Sequence, residues 1–552
     1  MLLVVYLVTL APGVTFWDAG EFIAAAHVFG IPHPPGTPLF VALGRAWTLL
    51  FGSVLGVARA MNLLSAVSTA VAAAVLVAVA GRAPHARMGA LAGALCAGLM
   101  LTAWSNATET EVYAISLLHV MLMLLCGARA SGDGARAGRW VWCLAYLIAL
   151  APAMHLSALV GAPAAIALAS RDLDLRWRIE RAALLLGVLV MAAGVGRMSA
   201  LVVAIGAMLC VASAWLTTDR AGVRAVLPPL GFVALGASAL LIMLVRARFD
   251  PAINQGNPAT ITAMMDVVAR RQYDVAPLWP RRAPVWLQLA TLTQYVDWQF
   301  AWTWGRGIFS TPLRGLVTFA FVCLGGVGWG ALRRDDRRTS DALTLLLACG
   351  SVGVVAYLNL RAGASIGYGF VPADAHEARE RDYFFVLAFW AWGFFAGYGA
   401  VHALTARRWP HAFALLLPCV PLVANWTAAD RARGDGATAP REVASALLAS
   451  APPNAVLFLA GDNDSYPLWY LQQVEGVRTD VTTVTFPLLP AEWYEAELAR
   501  RTRLHWPSSG VVPGAKWQHE ELAARIAESA RVAGRPVAVS PSLPAAERAL
   551  LG

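Results

Sequence analysis

Long apolar runs recur along residues 1–426 and constrain the fold more than any other feature of the sequence. About 20 apolar residues in a helix cross a bilayer core of about 30 Å. Thirteen runs, some shorter than a full crossing, are predicted as spans: 1–14, 61–80, 89–104, 111–128, 140–154, 156–170, 182–197, 199–216, 225–245, 315–332, 342–359, 384–404 and 411–426. Because 58% of the residues are hydrophobic and only 14% are charged, the sequence predicts a polytopic α-helical membrane protein.

The short connections between these runs carry arginine. Six of them fall on one side when thirteen spans are counted, namely 81–87, 128–139, 171–181, 218–224, 333–338 and 406–411. The positive-inside rule assigns that side to the cytoplasm. The loops 15–60, 246–314 and 360–383 are then predicted to face away from the cytoplasm. In a bacterium this arrangement places the chain in the inner membrane, with its C-terminal segment outside the cytoplasm.

The chain is predicted to have two domains, a membrane domain at 1–426 and a soluble domain at 427–552. The second domain alternates predicted helices and strands: helix 440–450, strand 455–460, helix 466–474, strand 481–486, two polar helices and strand 536–540. Such alternation predicts a small α/β unit.

The positions of the charged residues and cysteines argue against three possibilities. Nucleic-acid binding is not indicated by the net charge of +9, since the basic residues lie in short loops without interleaved aromatic residues. The seven cysteines all lie in apolar runs without metal-ligand spacing, which argues against a disulfide framework or a zinc site. Ion-coupled transporters place ionisable groups at the bilayer midplane, and the centres of the predicted spans contain none. Chemistry at the membrane surface is therefore favoured over transport.

The first candidate site is the stretch TFWDAGEF, followed by PHPPGTP. Asp18 and Glu21 are three residues apart, so a helix would place both carboxylates on one face, and His33 follows in a proline-rich segment of fixed backbone. Carboxylates near a membrane are candidates for function. The alternative is a capping box in which Thr15 and Asp18 only begin the helix.

A second group lies in the stretch SNATETEVYAI and in the stretch PAMHLSAL. Glu109 and Glu111 fall between two predicted spans on the side of Asp18, and His155 lies at a helix junction on that side. All three are candidates for substrate binding. The alternatives are a polar turn, with glutamates favoured by the helix dipole, and a packing histidine.

The third group crowds residues 359–385, where Arg361, His376, Arg379, Arg381 and Asp382 precede a predicted span. Arginine binds phosphate through bidentate, charge-assisted hydrogen bonds. The three arginines are therefore predicted to bind a phosphate, with His376 and Asp382 as neighbouring substrate ligands. The alternative is a solvated loop of ion pairs that neutralise each other.

The fourth group is the stretch GDND, which follows a predicted strand in the C-terminal domain. Asp462 and Asp464 would lie at the carboxyl end of that strand, where open α/β sheets bind ligands. They are predicted as substrate-binding residues. Turn and helix-capping chemistry is an equally good explanation for them.

These motifs together resemble a widespread bacterial membrane family related to the eukaryotic protein O-mannosyltransferases that act on plexin-type IPT domains. The resemblance rests on FWDAGEF…PHPPGTPLF, ATETEVYA, HEARERDYFF and GDNDSYPLWYLQ, and covers residues 1 to about 490. It implies a GT-C glycosyltransferase, which is a multi-span enzyme that uses a polyprenyl-phosphate-linked sugar outside the cytosol. It also implies that an essential carboxylate of the first loop falls on Asp18, with Glu21 as its neighbour.

The predicted function is transfer of a sugar from a polyprenyl-phosphate-linked donor to an extracytoplasmic hydroxyl. The acceptor is a protein or a glycan, and O-mannosylation of Ser or Thr is one form of the reaction. Asp18 would act as the base or would orient a divalent cation, Mg²⁺ or Mn²⁺, while Arg379 and Arg381 would bind the departing phosphate. The alternatives are a lipid-linked sugar flippase or exporter, and a non-enzymatic envelope scaffold.

Overall fold

A computed structural model describes residues 1–81, 86–132, 134–216, 222–273, 276–502, 504–506 and 516–551. The helices of the first 169 residues are α1 Leu2–Val8, α2 Ala19–Val28, α3 Pro38–Leu55, α4 Val57–Ala80, α5 Arg87–Leu99, α6 Leu101–Ala107, α7 Val112–Arg129, α8 Ala135–Met154 and α9 Ala158–Ala169. They are followed by α10 Ile179–Gly196, α11 Ala200–Leu216, α12 Gly222–Ser238, α13 Leu241–Ala247, α14 Ile261–Val268, α15 Val285–Trp298, α16 Pro312–Asp335, α17 Arg337–Ala348, α18 Val354–Leu358 and α19 Val386–Ala406.

The remaining elements are α20 Cys419–Ala424, α21 Trp426–Ala429, α22 Ala439–Ser450, β1 Val456–Leu459, α23 Asp462–Gln473, β2 Thr482–Thr485, α24 Glu492–Thr502, α25 Lys516–Val532, β3 Val537–Val539 and α26 Ala545–Leu551. The predicted arginine-bearing connections at 81–87, 128–139 and 218–224 lie partly outside the described residues.

The chain is a multi-pass membrane protein. Among the described residues, nine helical segments are long and apolar enough to cross a membrane: Pro38–Leu55, Val57–Ala80, Val112–Arg129, Ala135–Met154, Ile179–Gly196, Leu227–Ala247, Pro312–Asp335, Arg337–Leu358 and Asp382–Ala406. The pair α5 and α6, bent by 72°, makes ten if it is counted as one broken span. Shorter apolar helices are α9, α11 and the segment Phe413–Ala424. The predicted polytopic helical class is confirmed.

Two predicted boundaries at the start of the chain are wrong. The span expected at 1–14 is only the seven-residue helix α1. The loop expected at 15–60 contains α2 and α3, and α3 is itself a candidate span. Arg45 interrupts the apolar run of α3 in the sequence, but its guanidinium donates to the carbonyl of His27 in the last turn of α2. The predicted orientation was based on a count of thirteen spans, and α3 changes that count. The orientation of the chain therefore stays a prediction.

Helix α19 is the centre of the bundle, with 94% of its candidate span buried. It contacts α16 backbone to backbone, since a Cβ atom at Gly328 of α16 would overlap the carbonyl oxygen of Phe395 and one at Gly399 would overlap that of Leu324. Glycine at such positions allows two membrane helices to approach closely and gain dispersion contacts. The loop at 360–383 leads through a short 3-10 turn directly into this buried helix.

The C-terminal domain is the small α/β unit that the sequence predicts. Its three strands are parallel and lie in the order β2-β1-β3. All four residues of the central strand β1 are buried. Helix α23 begins just after β1 and packs against α2, so closely that a Cβ atom at Gly20 would overlap the carbonyl oxygen of Tyr466. This contact brings the GDND stretch to the start of α2.

We predict that Gly328→Ala destabilises the bundle by about 1–3 kcal/mol, the usual cost of overpacking a filled interior. A lower melting temperature of the detergent-solubilised protein would show this. Gly326→Ala is the matched control, because it lies on the same helix and its Cβ would meet nothing within 4 Å. Equal melting temperatures for the two variants would contradict the close contact between α16 and α19.

Candidate active site

Asp18 stands at the N-cap position of α2, but its carboxylate is turned away from the helix. It accepts a hydrogen bond from Nη2 of Arg379 at 2.9 Å instead of capping α2. The capping box that Thr15 and Asp18 could have formed is thus not made by these described residues. The carboxylate is available to the site rather than spent on the helix.

Arg379 is fixed between two aromatic rings. Its guanidinium carbon lies 4.5 Å from the ring centroid of Trp17 and 5.0 Å from that of Tyr383. Such cation–π contacts strengthen when the cation is partly desolvated, and the Arg379 side chain is only 16% exposed. Burial alone would raise the pKa of Asp18, but the charges of His33 and Arg379 outweigh it and lower that pKa below its usual value. Asp18 is therefore a carboxylate at neutral pH.

Glu21 is fully buried and holds His33. Its two oxygens accept hydrogen bonds from the backbone N–H of His33 at 2.7 Å and from the Nδ1 of the same residue at 2.5 Å, and Nε2 of Gln255 also donates to it. Burial opposes protonation of His33, but the carboxylates of Glu21, Asp18 and Asp462 outweigh it and raise the pKa of His33 to about 9. Burial raises the pKa of Glu21 itself, although its contacts with His33 oppose this. The Glu21 carboxyl group is thus bonded to His33 and Gln255 and favours the cationic form of His33.

Glu109 and Glu111 lie near Asp18 but differ from each other. Glu109 forms an ion pair with Arg431 at 2.5 Å. Oε2 of Glu111 is buried and has no hydrogen-bond partner among the described residues. Burial and the charges of Asp18 and Glu109 raise the pKa of Glu111 to about 8. Glu111 is therefore mostly protonated at neutral pH and can exchange its proton near that pH.

The loop before α19 supplies a second cation to the cluster. Arg381 donates through Nη1 to the hydroxyl of Tyr383 at 2.6 Å and pairs with Glu377 at 3.2 Å. Its charge also contributes to the low pKa of Asp18. Arg361 differs, since its exposed side chain donates to the backbone carbonyl of Asp374. The structure thus brings two of the three predicted phosphate-binding arginines to Asp18.

Asp462 lies on the first turn of α23, close enough to the cluster that the charges of Asp18 and His33 act on it. Desolvation and the charge of Asp18 raise its pKa. The other predicted ligands are bonded elsewhere. Asp464 accepts from Ser540, Asp382 from Thr102, His155 contacts Ser157 and the ring of Tyr113, and His376 stacks on Tyr368. These contacts tie Asp464, Asp382 and His376 to other parts of the fold, whereas His155 lies close enough to the cluster that burial and the charge of His33 lower its pKa.

Three residues of the cluster had no place in the predicted site. Asn463 accepts a hydrogen bond at 2.7 Å from the backbone N–H of Trp17, whose φ of 63° is unusual for a residue other than glycine. Arg431 pairs with a glutamate 322 residues earlier. The third, Gln255, bonds to Glu21. The only sequence signal was for Asn463, which lies inside the GDND stretch, whereas nothing local marks Arg431 or Gln255.

The cluster includes residues at the N-terminal ends of three helices. Asp18 precedes α2, Glu111 is the N-cap residue of α7 and Asp462 begins α23, whereas Arg379 and Arg381 lie several residues before α19. Helix N-termini carry partial positive charge and favour anions. Together with two guanidinium groups and a cationic His33, the arrangement suits an anionic group beside a carboxylate.

The same residues do not fit a divalent cation. In the described part of the chain, no group of three or more His, Cys, Asp or Glu residues is placed to hold a metal ion. Asp18 and Glu109 each face an arginine, which would repel a cation from the carboxylate. The Mg²⁺ or Mn²⁺ considered for Asp18 therefore has no ligand set here.

Two family models match the chain. Residues 18–174 match the Protein O-mannosyl-transferase TMEM260 N-terminal domain, and residues 440–530 match the TMEM260-associated domain 2. The first match begins at Asp18, and the second contains Asp462 and Asn463. Arg379 and Arg381 lie between the two matched ranges.

Two individual proteins of the same name are also similar to this chain. The mouse Protein O-mannosyl-transferase TMEM260 is 25% identical over 533 residues, which are 94% of this chain and 65% of the mouse protein. The Protein O-mannosyl-transferase tmem260 of Dictyostelium discoideum is 40% identical over 70 residues, 12% of this chain and 8% of that protein. The crystal structure of ArnT from Cupriavidus metallidurans bound to undecaprenyl phosphate aligns with 92% of this chain and 95% of its own at 11% identity, with a TM-score of 0.47.

The fold and the cluster define a multi-pass membrane protein whose charged site is shared between the helical bundle and a C-terminal α/β domain. With both family models matched in order, the chain is related to the TMEM260 family of protein O-mannosyl-transferases, and the resemblance drawn from the sequence motifs is confirmed. The chain spans just under two thirds of the length of the mouse relative.

We predict that His33 titrates near pH 9 and that Glu21→Gln lowers this midpoint toward about 6.5, the ordinary value for histidine. Removing the Glu21 charge removes the largest of the effects that favour the cation, while the charges of Asp18 and Asp462 still act against burial. Histidine-labelled protein followed by NMR over pH 5–10 checks this, with His33→Asn identifying the signal among the ten histidines. A midpoint that is the same in both proteins would show that Glu21 does not hold the proton on His33.

Proposed function

We propose that this chain is a membrane glycosyltransferase that moves a sugar from a polyprenyl-phosphate-linked donor to a hydroxyl group of a protein acceptor. The observation that carries the proposal is the ionised Asp18 carboxylate held beside Arg379 and Arg381, in a cluster that includes the N-terminal ends of three helices. The mouse and Dictyostelium relatives are protein O-mannosyl-transferases, which supports a protein acceptor and mannose as the sugar. The GT-C type of fold is part of the same proposal.

In this proposal Asp18 acts as the general base. It removes the proton of the acceptor hydroxyl while that oxygen forms a bond to the anomeric carbon of the donor sugar. The bond between the anomeric carbon and the phosphate oxygen breaks, and the oxygen keeps the electron pair. A positioned base is needed because the pKa of a free hydroxyl lies far above neutral pH. Attack opposite the leaving phosphate inverts the anomeric centre.

The leaving phosphate gains negative charge, which the arginines are placed to stabilise. A guanidinium has five N–H donors, and the structure gives Arg379 one ionic contact, to Asp18, between its two aromatic neighbours. Donors of Arg379 and Arg381 can therefore bind phosphate oxygens while Arg379 stays beside the base. Charge-assisted hydrogen bonds of this kind are among the strongest available in water-poor sites.

We place the site on the non-cytoplasmic side of a bacterial inner membrane, in accord with the arginine-rich short connections. The C-terminal domain would then lie outside the cytoplasm. There it meets both a lipid donor, which diffuses within the bilayer, and a protein acceptor, which arrives from the aqueous side. Asn463 of this domain fixes the backbone before Asp18, so the soluble domain completes the site rather than only recruiting a partner.

Asp18→Asn is expected to lower the transfer rate by about 100-fold or more, the usual contribution of a general base. The assay uses purified protein in nanodiscs, polyprenyl-phosphate mannose and Ser- or Thr-containing peptides, with mass spectrometry of the product. Asp435→Asn, which alters an exposed carboxylate, is the matched control. An unchanged transfer rate in Asp18→Asn would contradict the role of Asp18 as the general base. A flippase or a scaffold would form no glycosylated peptide even as the unaltered protein.

Asn463→Ala is expected to lower kcat by about 10-fold, since a lost hydrogen bond to the Trp17 backbone, worth about 1 kcal/mol, frees Asp18 from its position. Asn463→Asp keeps the side-chain oxygen that accepts this bond and should retain most of the rate. Transfer kinetics of both variants at saturating peptide measure the effect. Equal rates for the two would show that the C-terminal domain does not position Asp18.

A further inference from the structure

A cleft of about 290 Å³ lies between the segment 252–255 and the C-terminal domain. One wall is formed by residues 252–255, and the other is formed by the end of α23, by β2 and by α24. Its lining is polar and aromatic, with Gln472, Thr482, Thr483 and Trp493 on the C-terminal side. The charged residues of the cluster around Asp18 do not line this cleft, but Gln255, which bonds to Glu21, lies in its wall.

Three buried side-chain oxygens in the lining have no hydrogen-bond partner among the described residues. They are Oδ1 of Asn254, Oε1 of Gln255 and Oε2 of Glu497. Asn254 and Gln255 are each only 2% exposed. Buried polar groups are nearly always hydrogen-bonded in folded proteins, because leaving one unpaired costs about 1–3 kcal/mol. All three are acceptors, so the missing partner must bring N–H or O–H donors.

Both walls contain extended backbone. Strand β2 is at the edge of the three-stranded sheet, and its residues Thr482 and Thr483 line the cleft. Across the cleft, the segment 253–255 is paired on its far side with Ile31, through bonds of 2.8 and 2.9 Å. An edge strand can add an incoming extended peptide through main-chain hydrogen bonds. An extended chain also supplies N–H donors at regular intervals, which suits the three acceptor oxygens.

The cleft is connected to the proposed catalytic cluster through one side chain. Gln255 lines the cleft, and its Nε2 donates to the carboxylate of Glu21, which in turn holds His33. A chain bound in the cleft therefore lies one residue away from the Glu21–His33 pair. A donor lipid arrives from the bilayer, whereas this cleft is formed by a loop and a soluble domain.

We propose that this cleft binds the protein acceptor as an extended segment along β2 and delivers its hydroxyl-bearing residue toward His33 and Asp18. The inference rests on the proposed transferase function and assigns the acceptor subsite within it. Asn254, Gln255 and Glu497 accept main-chain N–H groups of the acceptor. Trp493 and the threonines of β2 border its side chains. Selectivity then comes from main-chain shape more than from one side chain.

The experiment compares two bulky substitutions in the full chain reconstituted in nanodiscs. Thr483→Trp fills the cleft, and Val532→Trp adds the same side chain at an 81% exposed position outside it. The probe is a pool of short fluorescent peptides that contain Ser and Thr, with binding followed by fluorescence anisotropy and transfer followed by mass spectrometry. A second pair, Glu497→Gln and the exposed Glu528→Gln, tests one acceptor oxygen with little risk to folding.

Thr483→Trp is expected to raise the Kd and the KM for peptide by about 10-fold or more, equivalent to about 1.4 kcal/mol, without a matching fall in kcat. Glu497→Gln should weaken peptide binding in the same direction, and neither control should. The affinity for polyprenyl phosphate should stay the same in all four variants. A raised KM with an unchanged kcat indicates a lost acceptor subsite, because a general loss of structure would lower kcat as well.

Three results would overturn the inference. Peptide Kd and KM that are equal in Thr483→Trp and Val532→Trp, while transfer still depends on Asp18, would remove the cleft from the acceptor path and leave the transferase standing. Displacement of bound peptide by a soluble oligosaccharide, with no effect of unlabelled peptide, would make the cleft a carbohydrate site. No binding of peptide to the unaltered protein would reject it directly. A fourth outcome separates the two proposals. If the unaltered protein binds peptide but forms no glycosylated product, and Thr483→Trp abolishes the binding, the transferase function is rejected and the peptide site is kept.

Discussion

The ion pair between Asp18 and Arg379 is the interaction on which the rest of the site depends. Both side chains are only 16% exposed, and charges this far from water are costly unless each has its partner. The Trp17 and Tyr383 rings on either side of Arg379 keep it there, so the carboxylate stays ionised. Arg381, His33 and the helix N-termini add positive charge around the same point. Under the proposed function, these cations would stabilise the phosphate of the donor.

The second constraint is that the site is built from both domains. Helix α2 of the bundle lies directly against α23 of the α/β domain, with glycine at the point of contact. That contact lets Asn463 hold the Trp17 backbone in its left-handed conformation. The loop 252–255 closes the arrangement by pairing with Ile31 and bonding to Glu21 through Gln255. The same loop also forms a wall of the neighbouring cleft, so the charged cluster and the cleft both depend on the position of this loop.

Much of this could be predicted from the residues, for physical reasons that differ between elements. The α/β order of the C-terminal domain was readable because its short strands and polar helices alternate. Asp18, Arg379 and Arg381 were readable because charges beside apolar runs are rare and costly. The sequence did not reveal that the first span is short, that α3 is a candidate span, or which residues bond to Asp382 and Asp464. Arg45 masks the apolar run of α3, and hydrogen bonds from Thr102 and Ser540 come from segments far away in sequence.

The sequence by itself determined the membrane class, the small α/β domain and the identity of the charged residues, because these follow from local composition and spacing. Only the tertiary structure decided which charges meet. Asp18 and Arg379 are 361 residues apart, and Glu109 and Arg431 are 322 apart. Their pairing follows from how α2, α7, α19 and α23 pack at one place. The tertiary structure also decided that Glu21 bonds to His33 and Gln255, since burial and hydrogen-bond partners are properties of the packed chain.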